Sequence, residues 1–230
     1  MAAADHHEVE LKLIAVDPAP LERLAAARRL GPAGLGPART VEETDRYLDT
    51  RDGRFAEARW ACRLRTREGR TIVSLKGPRD PAASGSALHR RPEVEGPATD
   101  RLDPSGWPPS DARALAVRLA EGRPLVVRFT LLQRRTERRV EVDGERVGLL
   151  TLDRVDVRHD GRSHGELLVV ERELAAGSGD DAPLIASLDA ELRKIEGLVP
   201  DQRTKLERAG ELIAASPGVA TDTGGARSTT

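Results

Sequence analysis

Charged side chains recur at every second residue near the start of the chain, in Glu8-Val9-Glu10-Leu11-Lys12. Successive side chains of a β-strand point to opposite faces, so Glu8, Glu10 and Lys12 share one face and Val9 and Leu11 share the other. Taken alone, such alternation is typical of an amphipathic strand with a solvated charged face. A functional interpretation requires strands elsewhere in the chain that bring matching charges to the same place.

Other predicted strands repeat this alternation of charges. Arg63 and Arg65 alternate with Cys62 and Leu64, and the strand that returns after the turn Glu68-Gly69 ends at Lys76. Later strands place further charges at every second position, namely Arg91, Glu93, Glu95, Glu171 and Glu173. A cavity lined by both carboxylates and guanidiniums is costly to build unless an ion or substrate completes it, and a polyphosphate with a divalent metal would do so.

The positions of strands and turns predict an α+β fold. About eight strands joined mainly by hairpins suit a closed eight-stranded antiparallel β-barrel, which removes exposed sheet edges, with helices packed outside it. Helices are predicted near 21–30, 110–120, 182–195 and 204–214, and one short strand is predicted at 44–50. The pattern predicts one domain over residues 1–215 and a disordered C-terminal tail over residues 216–230, which lacks periodicity.

Composition argues against several partners. The 37 basic and 38 acidic residues nearly cancel, and aromatic residues are only 2% of the chain, so neither a nucleic acid nor a membrane surface is expected as a partner. The single cysteine, Cys62, excludes an internal disulfide and a cysteine-based zinc site within one chain. Without a signal peptide or an apolar stretch near the ~18 residues of a membrane span, a cytoplasmic protein is expected.

An ordered series of short motifs resembles the CYTH domains, also known as triphosphate tunnel metalloenzymes. The Glu8–Lys12 stretch resembles their ExExK signature. The later motifs follow in family order: Tyr47-Leu48-Asp49-Thr50, Arg63-Leu64-Arg65, Leu75-Lys76-Gly77-Pro78, Arg91 with Glu93 and Glu95, Arg134-Arg135, Asp153-Arg154-Val155, Glu171-Arg172-Glu173-Leu174 and Thr204-Lys205. The resemblance spans about residues 6 to 210, and it implies a tunnel that holds a triphosphate.

The resemblance implies a role for each charged group. The metal ligands for Mg²⁺ or Mn²⁺ would be Glu8, Glu10, Glu171 and Glu173, because hard cations prefer carboxylate oxygens. The phosphate-binding residues would be Lys12, Arg63, Arg65, Lys76, Arg91, Arg135 and Lys205. Of these residues, Glu8, Glu10 and Lys12 would also be catalytic, with a metal-activated water attacking the terminal phosphoryl group.

Some assignments stay open at this stage. Glu93, Glu95 and Asp153 could support the site directly or act as ion-pair partners that orient the basic residues. Arg134 and Arg135 point to opposite faces of their strand, so a one-residue shift in register exchanges them. The acids Glu42, Glu43 and Asp45 resemble ordinary surface residues.

The expected function is hydrolysis of a triphosphate-containing small molecule. Inorganic triphosphate is the first choice, because no aromatic side chain is expected in position to stack on a base, and thiamine triphosphate or a nucleotide comes second. The alternatives are a class IV adenylate cyclase and a non-catalytic polyphosphate-binding module. Either a monomer or a homodimer is compatible with the sequence, as is a separate protein partner.

Overall fold

The computed structural model describes residues 7–78, 88–174 and 182–216. Its strands are β1 (His7–Ala15), β2 (Arg29–Leu30), β3 (Ala33–Leu35), β4 (Arg39–Thr50), β5 (Ala61–Arg67), β6 (Arg70–Lys76), β7 (Leu88–Pro97), β8 (Leu125–Val142), β9 (Glu145–His159), β10 (Arg162–Leu174) and β11 (Leu198–Pro200). Its helices are α1 (Ala19–Ala26), α2 (Arg54–Glu57), α3 (Asp111–Ala120), α4 (Ala182–Arg193) and α5 (Lys205–Ala215), with a 3-10 turn at Pro104–Gly106.

The long strands form one antiparallel sheet. Along the hydrogen-bonded path the order is β8, β4, β5, β6, β7, β1, β10, β9, and β9 pairs in turn with β8. Each of these eight strands therefore has a hydrogen-bonded neighbour on both sides. The predicted α+β class with antiparallel strands is confirmed.

Two tight turns fix the register of the long hairpins. Glu68 and Gly69 join β5 to β6, and Asp143 and Gly144 join β8 to β9, with positive φ at all four residues. Two-residue loops with positive φ at both positions match the right-handed twist of the flanking strands. The two hairpins that the sequence predicts are present.

The apolar core lies between the sheet and its covering helices. On β1, Leu11 and Leu13 are fully buried in a cluster with Leu21 and Leu24 of α1 and Leu188 of α4. A second cluster joins β5 and β6 to α2 and α3, and a third joins the inner face of β8 and β9 to α5. The apolar face of β1 thus packs against helices, which leaves Glu10 and Lys12 on the other face.

The first predicted helix differs from the structure. The prediction continued it to Leu30, but α1 ends at Ala26 and Arg29–Leu30 forms β2, which pairs with β3. Gly31, at φ 55°, allows the tight return between these two strands. Leu30 is buried as the prediction expected, although on a strand rather than on a helix.

Among the described residues, no helix is both long and apolar enough to cross a membrane. Of the predicted tail, residues 217–230 lie outside the described part of the chain.

Candidate active site

The charged inner faces of the strands line a large cavity of about 1220 Å³. The predicted site residues in its lining are Glu10, Lys12, Arg63, Arg65, Lys76, Arg91, Glu93, Glu95, Arg135, Glu171, Glu173 and Lys205. The register explains this meeting, because Glu10 lies opposite Glu173 and Lys12 opposite Glu171 in the β1–β10 ladder. For Glu8 only the backbone is described, and it pairs with Arg91 on β7.

Four residues that line the cavity, Lys12, Arg135, Glu171 and Lys205, form a network with the buried Asp153, and we call these five residues the lysine wall. Lys205 Nζ lies 2.7 Å from Asp153 Oδ2 and 2.8 Å from Glu171 Oε2. Arg135 donates to both oxygens of Asp153 at 2.8 and 2.7 Å and to Glu171 at 3.2 Å. Burial by itself raises the pKa of the Glu171 carboxyl. The neighbouring cations Lys205, Arg135 and Lys12 have the larger combined effect and hold that pKa well below its ordinary value.

The start of α5 positions Lys205. Thr204 is the N-cap residue, and its hydroxyl accepts from Glu207 N at 3.1 Å while the Glu207 carboxylate accepts from Thr204 N at 2.6 Å. This capping box satisfies two backbone donors that a helix start otherwise leaves without partners. Lys205 follows immediately as the first residue of the helix, so the cap holds its backbone next to Asp153 and Glu171.

Lys12 reaches the same loop from the opposite end of the chain. Its amine donates to the backbone carbonyl of Arg203 and lies 3.8 Å from Asp201 Oδ2. Asp201 accepts two hydrogen bonds from Arg208 at 2.9 Å each, which fixes the loop before α5. Burial lowers the pKa of Lys12 to about 8, against the raising effect of Glu171.

A second network is formed by Asp45, Arg63, Arg65 and Gln133, from strands β4, β5 and β8, and we call it the arginine wall. Arg65 donates to the two oxygens of Asp45 at 2.8 Å each, and Arg63 Nη1 lies 3.3 Å from Asp45 Oδ2. Gln133 Nε2 donates to the same carboxylate at 2.6 Å. Burial raises the pKa of Asp45, but Arg63 and Arg65 outweigh burial and hold that pKa well below its ordinary value.

Strands β6 and β7 complete the lining with a mixed set of charges. Lys76 Nζ lies 3.3 Å from Glu93 Oε1, and Arg63 Nη2 lies 4.0 Å from an oxygen of each of Glu93 and Glu95. Ser74 also donates to Glu93. Burial, with a further contribution from Glu93, raises the pKa of Glu95. Both acids thus contact basic residues of the cavity, as expected for ion-pair partners.

The acidic residues predicted as metal ligands are gathered only in part. Glu10, Glu171 and Glu173 line the cavity, and Glu10 and Glu173 face each other across the β1–β10 ladder. No group of three or more His, Cys, Asp or Glu side chains in the described ranges is arranged to hold a metal ion. The side chain of Glu8 is not among the described side chains. The Glu171 carboxylate accepts hydrogen bonds from Lys205 and Arg135.

The structure settles the register of β8. Arg135 faces the cavity, whereas the side chain of Arg134 is 68% exposed and lies 3.9 Å from Glu42 on the outer face. Gln133 also faces inward and is almost fully buried. Of the two arginines, Arg135 is therefore the one placed at the site.

The prediction that Glu43 and Asp45 are surface acids is wrong. Asp45 is 0% exposed, and Glu43 is buried within 3.3 Å of Arg65 and 3.2 Å of Arg67. Strand β4 begins at Arg39 rather than at Thr44, so Glu43 belongs to the strand and shares its inner face with Asp45, which the predicted strand already contained. Applying the two-residue alternation upstream from Tyr47 would have found both. Only Glu42 is exposed as expected.

Aromatic side chains are present at the site, although the expectation that none is in position to stack on a base stays a prediction. Trp60, Tyr47 and Phe129 line the cavity, and the rings of Tyr47 and Phe129 stack with centroids 4.8 Å apart. Few aromatic residues in the sequence do not mean few at the site, because composition carries no information on where side chains meet.

A family model described as the CYTH domain matches residues 6–209. The chain belongs to the CYTH family.

Several solved structures have similar folds at low sequence identity. A Hippeastrum protein named as an adenylyl cyclase and reported to have a dominant triphosphatase activity has a TM-score of 0.55 at 18% identity, over 89% of this chain and 95% of its own. A Bacillus halodurans protein named as an adenylate cyclase has a TM-score of 0.54 at 18% identity, over 88% of this chain and 97% of its own. The PH1819 protein of Pyrococcus horikoshii has a TM-score of 0.52 at 20% identity, over 89% and 98%. The chain has no significant match among curated proteins.

Proposed function

We propose that this protein is a metal-dependent triphosphatase whose preferred substrate is inorganic triphosphate. The observation that carries the proposal is the convergence of basic side chains from five strands and α5 on one cavity that also holds carboxylates. Such a lining matches a chain of phosphates with a divalent cation, whose charges would complete both sets of ionic partners. Membership of the CYTH family supports an activity on triphosphate compounds.

The enclosing architecture in this proposal is a closed eight-stranded barrel. Its support is that each of the eight long strands is hydrogen-bonded on both sides. A closed sheet has no edge, so its inner face would keep the same charged groups in fixed positions around the substrate. The domain would comprise residues 1–215, with residues 216–230 as a tail.

The basic residues would bind the phosphate chain from several strands and from α5. Arg63 is a strong candidate, because its Nε is buried and has no hydrogen-bond partner although the guanidinium lines the cavity. A buried donor without a partner is costly, and a phosphate oxygen would remove that cost. The remaining phosphate ligands would be Lys12, Arg65, Lys76, Arg91, Arg135 and Lys205.

The carboxylates fit a divalent cation by their donor chemistry. Glu8, Glu10, Glu171 and Glu173 would hold Mg²⁺ or Mn²⁺, since both prefer oxygen ligands. When bound, the metal would activate a water and offset charge on the phosphate oxygens. Glu171 is paired with Lys205 and Arg135, and phosphate oxygens would compete for these two cations, which would leave Glu171 able to bind the metal.

An organic triphosphate is the second candidate substrate. Trp60, Tyr47 and Phe129 line the cavity and offer apolar surface to a ring system attached to the phosphates. A nucleotide or thiamine triphosphate carries such a ring, whereas inorganic triphosphate does not. Because the Hippeastrum and Bacillus proteins are named as cyclases, cyclase activity should also be assayed.

Phosphate release from the purified protein tests the proposal. Inorganic triphosphate, ATP and thiamine triphosphate would each be supplied with Mg²⁺, with Mn²⁺ or with a chelator, and cyclic AMP would be measured in the ATP samples. The proposal expects metal-dependent release that is fastest with inorganic triphosphate. Cyclic AMP with pyrophosphate would identify a cyclase, and triphosphate binding without turnover would identify a binding module.

A charge-neutral variant of a proposed metal ligand sharpens this assay. Glu10→Gln keeps the shape of a buried side chain but removes its charge, so turnover should fall by about 100-fold or more because the metal loses a ligand. Glu42→Gln is the matched control, because it makes the same change at a side chain that is 77% exposed. Normal turnover in Glu10→Gln would contradict the metal assignment.

A further inference from the structure

Asp45 is a buried member of the arginine wall that does not itself line the cavity. It is fully buried, and it is not among the described residues that line the cavity, whereas Arg63 and Arg65 are. Its carboxylate therefore contacts the two arginines without itself facing the cavity. A direct role in contacting substrate or metal does not fit this position.

Within the described part of the chain, the Asp45 carboxylate accepts its hydrogen bonds from the other residues of the arginine wall. Arg65 binds it through Nε and Nη2, Arg63 through Nη1, and Gln133 through Nε2. A guanidinium held by two parallel hydrogen bonds has a fixed plane and direction. Both arginines reach Asp45 from alternate positions of β5, and Gln133 reaches it from β8 on the other side of β4.

An acid at this position is unexpected if the only task of the site is to bind anions tightly. Asp45 places a negative charge next to two cations that would attract a triphosphate, so it lowers the net positive charge of the wall. Its presence would weaken binding of the substrate ground state. This loss of affinity is offset only if the fixed direction of the two guanidiniums stabilises the charge that develops in the transition state.

We propose that Asp45 is a positioning residue that orients Arg63 and Arg65 towards the phosphate chain. This inference rests on the proposed triphosphatase function. It predicts that Asp45 acts on turnover through the arginines and not through affinity. Gln133 takes part by holding the carboxylate from the side opposite β5.

Asp45→Asn is the direct test, with inorganic triphosphate and Mg²⁺ or Mn²⁺ as the probes. The amide keeps the size of the side chain, but its NH₂ group faces a guanidinium donor, so the fixed geometry is lost while both positive charges remain. We expect kcat to fall by roughly 30-fold, with KM unchanged or lower, since preorganised charges contribute mainly to the transition state. Glu42→Gln, on the outer face of the same strand, is the control and should leave both constants unchanged.

The split between kcat and KM distinguishes positioning from a general loss of structure. Circular dichroism and thermal melting would first establish that Asp45→Asn is folded. If it does not fold, Gln133→Leu serves instead, because it removes one hydrogen bond to Asp45 and leaves the arginines in place; kcat should then fall by roughly threefold.

Two results would overturn the inference. One is an active wild-type enzyme in which folded Asp45→Asn, or its replacement Gln133→Leu, keeps the wild-type kcat. The other is a rise in KM at constant kcat, which would make Asp45 a residue for affinity alone. A wild-type protein that does not hydrolyse triphosphate refutes the proposed function itself, and the inference falls with it for that separate reason.

Discussion

The two walls of the cavity hold their cations in different ways. In the arginine wall, neighbouring strands β4, β5 and β8 supply every member, and Asp45 binds Arg65 through two parallel hydrogen bonds. In the lysine wall, the groups come from β8, β9, β10, α5 and the first strand, and Lys12 contacts the carbonyl of Arg203, 191 residues away. The first wall is therefore a property of adjacent strands, and the second depends on how the C-terminal segment docks.

Each wall nevertheless contains a fully buried aspartate. Asp45 holds Arg63 and Arg65, and Asp153 holds Arg135 and Lys205. Buried acids of this kind cost desolvation energy that only close and well-directed partners repay. In each wall one arginine binds the aspartate through two hydrogen bonds, Arg65 on Asp45 and Arg135 on Asp153. The difference is that the lysine wall adds an ammonium group, Lys205, which acts as a compact charge, whereas the arginine wall adds a second guanidinium, Arg63.

Removing a cation from the lysine wall should have the largest effect on stability. Lys205→Met leaves Asp153 and Glu171 buried with only Arg135 and Lys12 nearby, and the free energy of unfolding should fall by about 3–5 kcal/mol. Urea denaturation measures this change. Lys194→Met is the control, because that side chain is 69% exposed and pairs with Glu191, three residues earlier in the chain, so a change below about 1 kcal/mol is expected. Equal losses in the two variants would mean that Lys205 is not held as described.

The arginine wall should show a specific dependence on acid. Because the folded-state pKa of Asp45 is depressed, the stability it contributes is present above its unfolded pKa, near 3.8, and is lost as pH falls towards the folded value. The free energy of unfolding of Asp45→Asn should therefore lie about 2–3 kcal/mol below wild type at pH 7, and the gap should close as the pH falls below about 4.

Asp100→Asn is the control for this pH series. Asp100 pairs with Arg46, but its side chain is 80% exposed, so the variant should track wild type within about 0.5 kcal/mol across the series. A gap for Asp45→Asn that stayed constant from pH 7 to pH 2 would show that a shape change, and not the lost charge, is responsible.

Loss of a helix cap should give the smallest effect on stability. Comparing two caps distinguishes the helix that carries a site residue from one that does not. Thr204→Ala removes the cap of α5, and Ser110→Ala removes the cap of α3, whose Arg113 N donates to Ser110 Oγ at 3.1 Å. Each should lower the free energy of unfolding by about 1 kcal/mol. Only Thr204→Ala should also lower triphosphate turnover, because α5 carries Lys205. A similar loss of turnover in Ser110→Ala would mean that turnover does not depend specifically on the cap of α5.

The predictability of the two walls from sequence follows the same difference. Arg63 and Arg65 were correctly placed because alternation on one hairpin is a local property. Asp45 was missed although it lies in the predicted strand, because the alternation from Tyr47 was not followed back to it, and Glu43 was missed because β4 begins at Arg39 instead of Thr44. The register of β8, and hence the choice of Arg135 over Arg134, depends on pairing with β4 and β9, which no single strand reveals.

The contacts of the lysine wall were beyond sequence reasoning for a different reason. Lys12 and Lys205 were each predicted as phosphate ligands from family motifs, but their meeting with Asp201 and Asp153 depends on the docking of α5. The docking of α5 depends on apolar contacts between Ala209 and its neighbours and the buried residues on the inner faces of β8 and β9. Such contacts join segments that are far apart in sequence, so no local periodicity encodes them.

A crystal structure of the protein with inorganic triphosphate, in the presence of a chelator to prevent metal-dependent hydrolysis, tests the central claim most directly. We expect the phosphate chain inside the cavity, with oxygens bound by Arg63 and Arg65 on one side and by Lys12 or Lys205 on the other. Triphosphate bound outside the cavity, or contacted by one wall alone, would contradict the account.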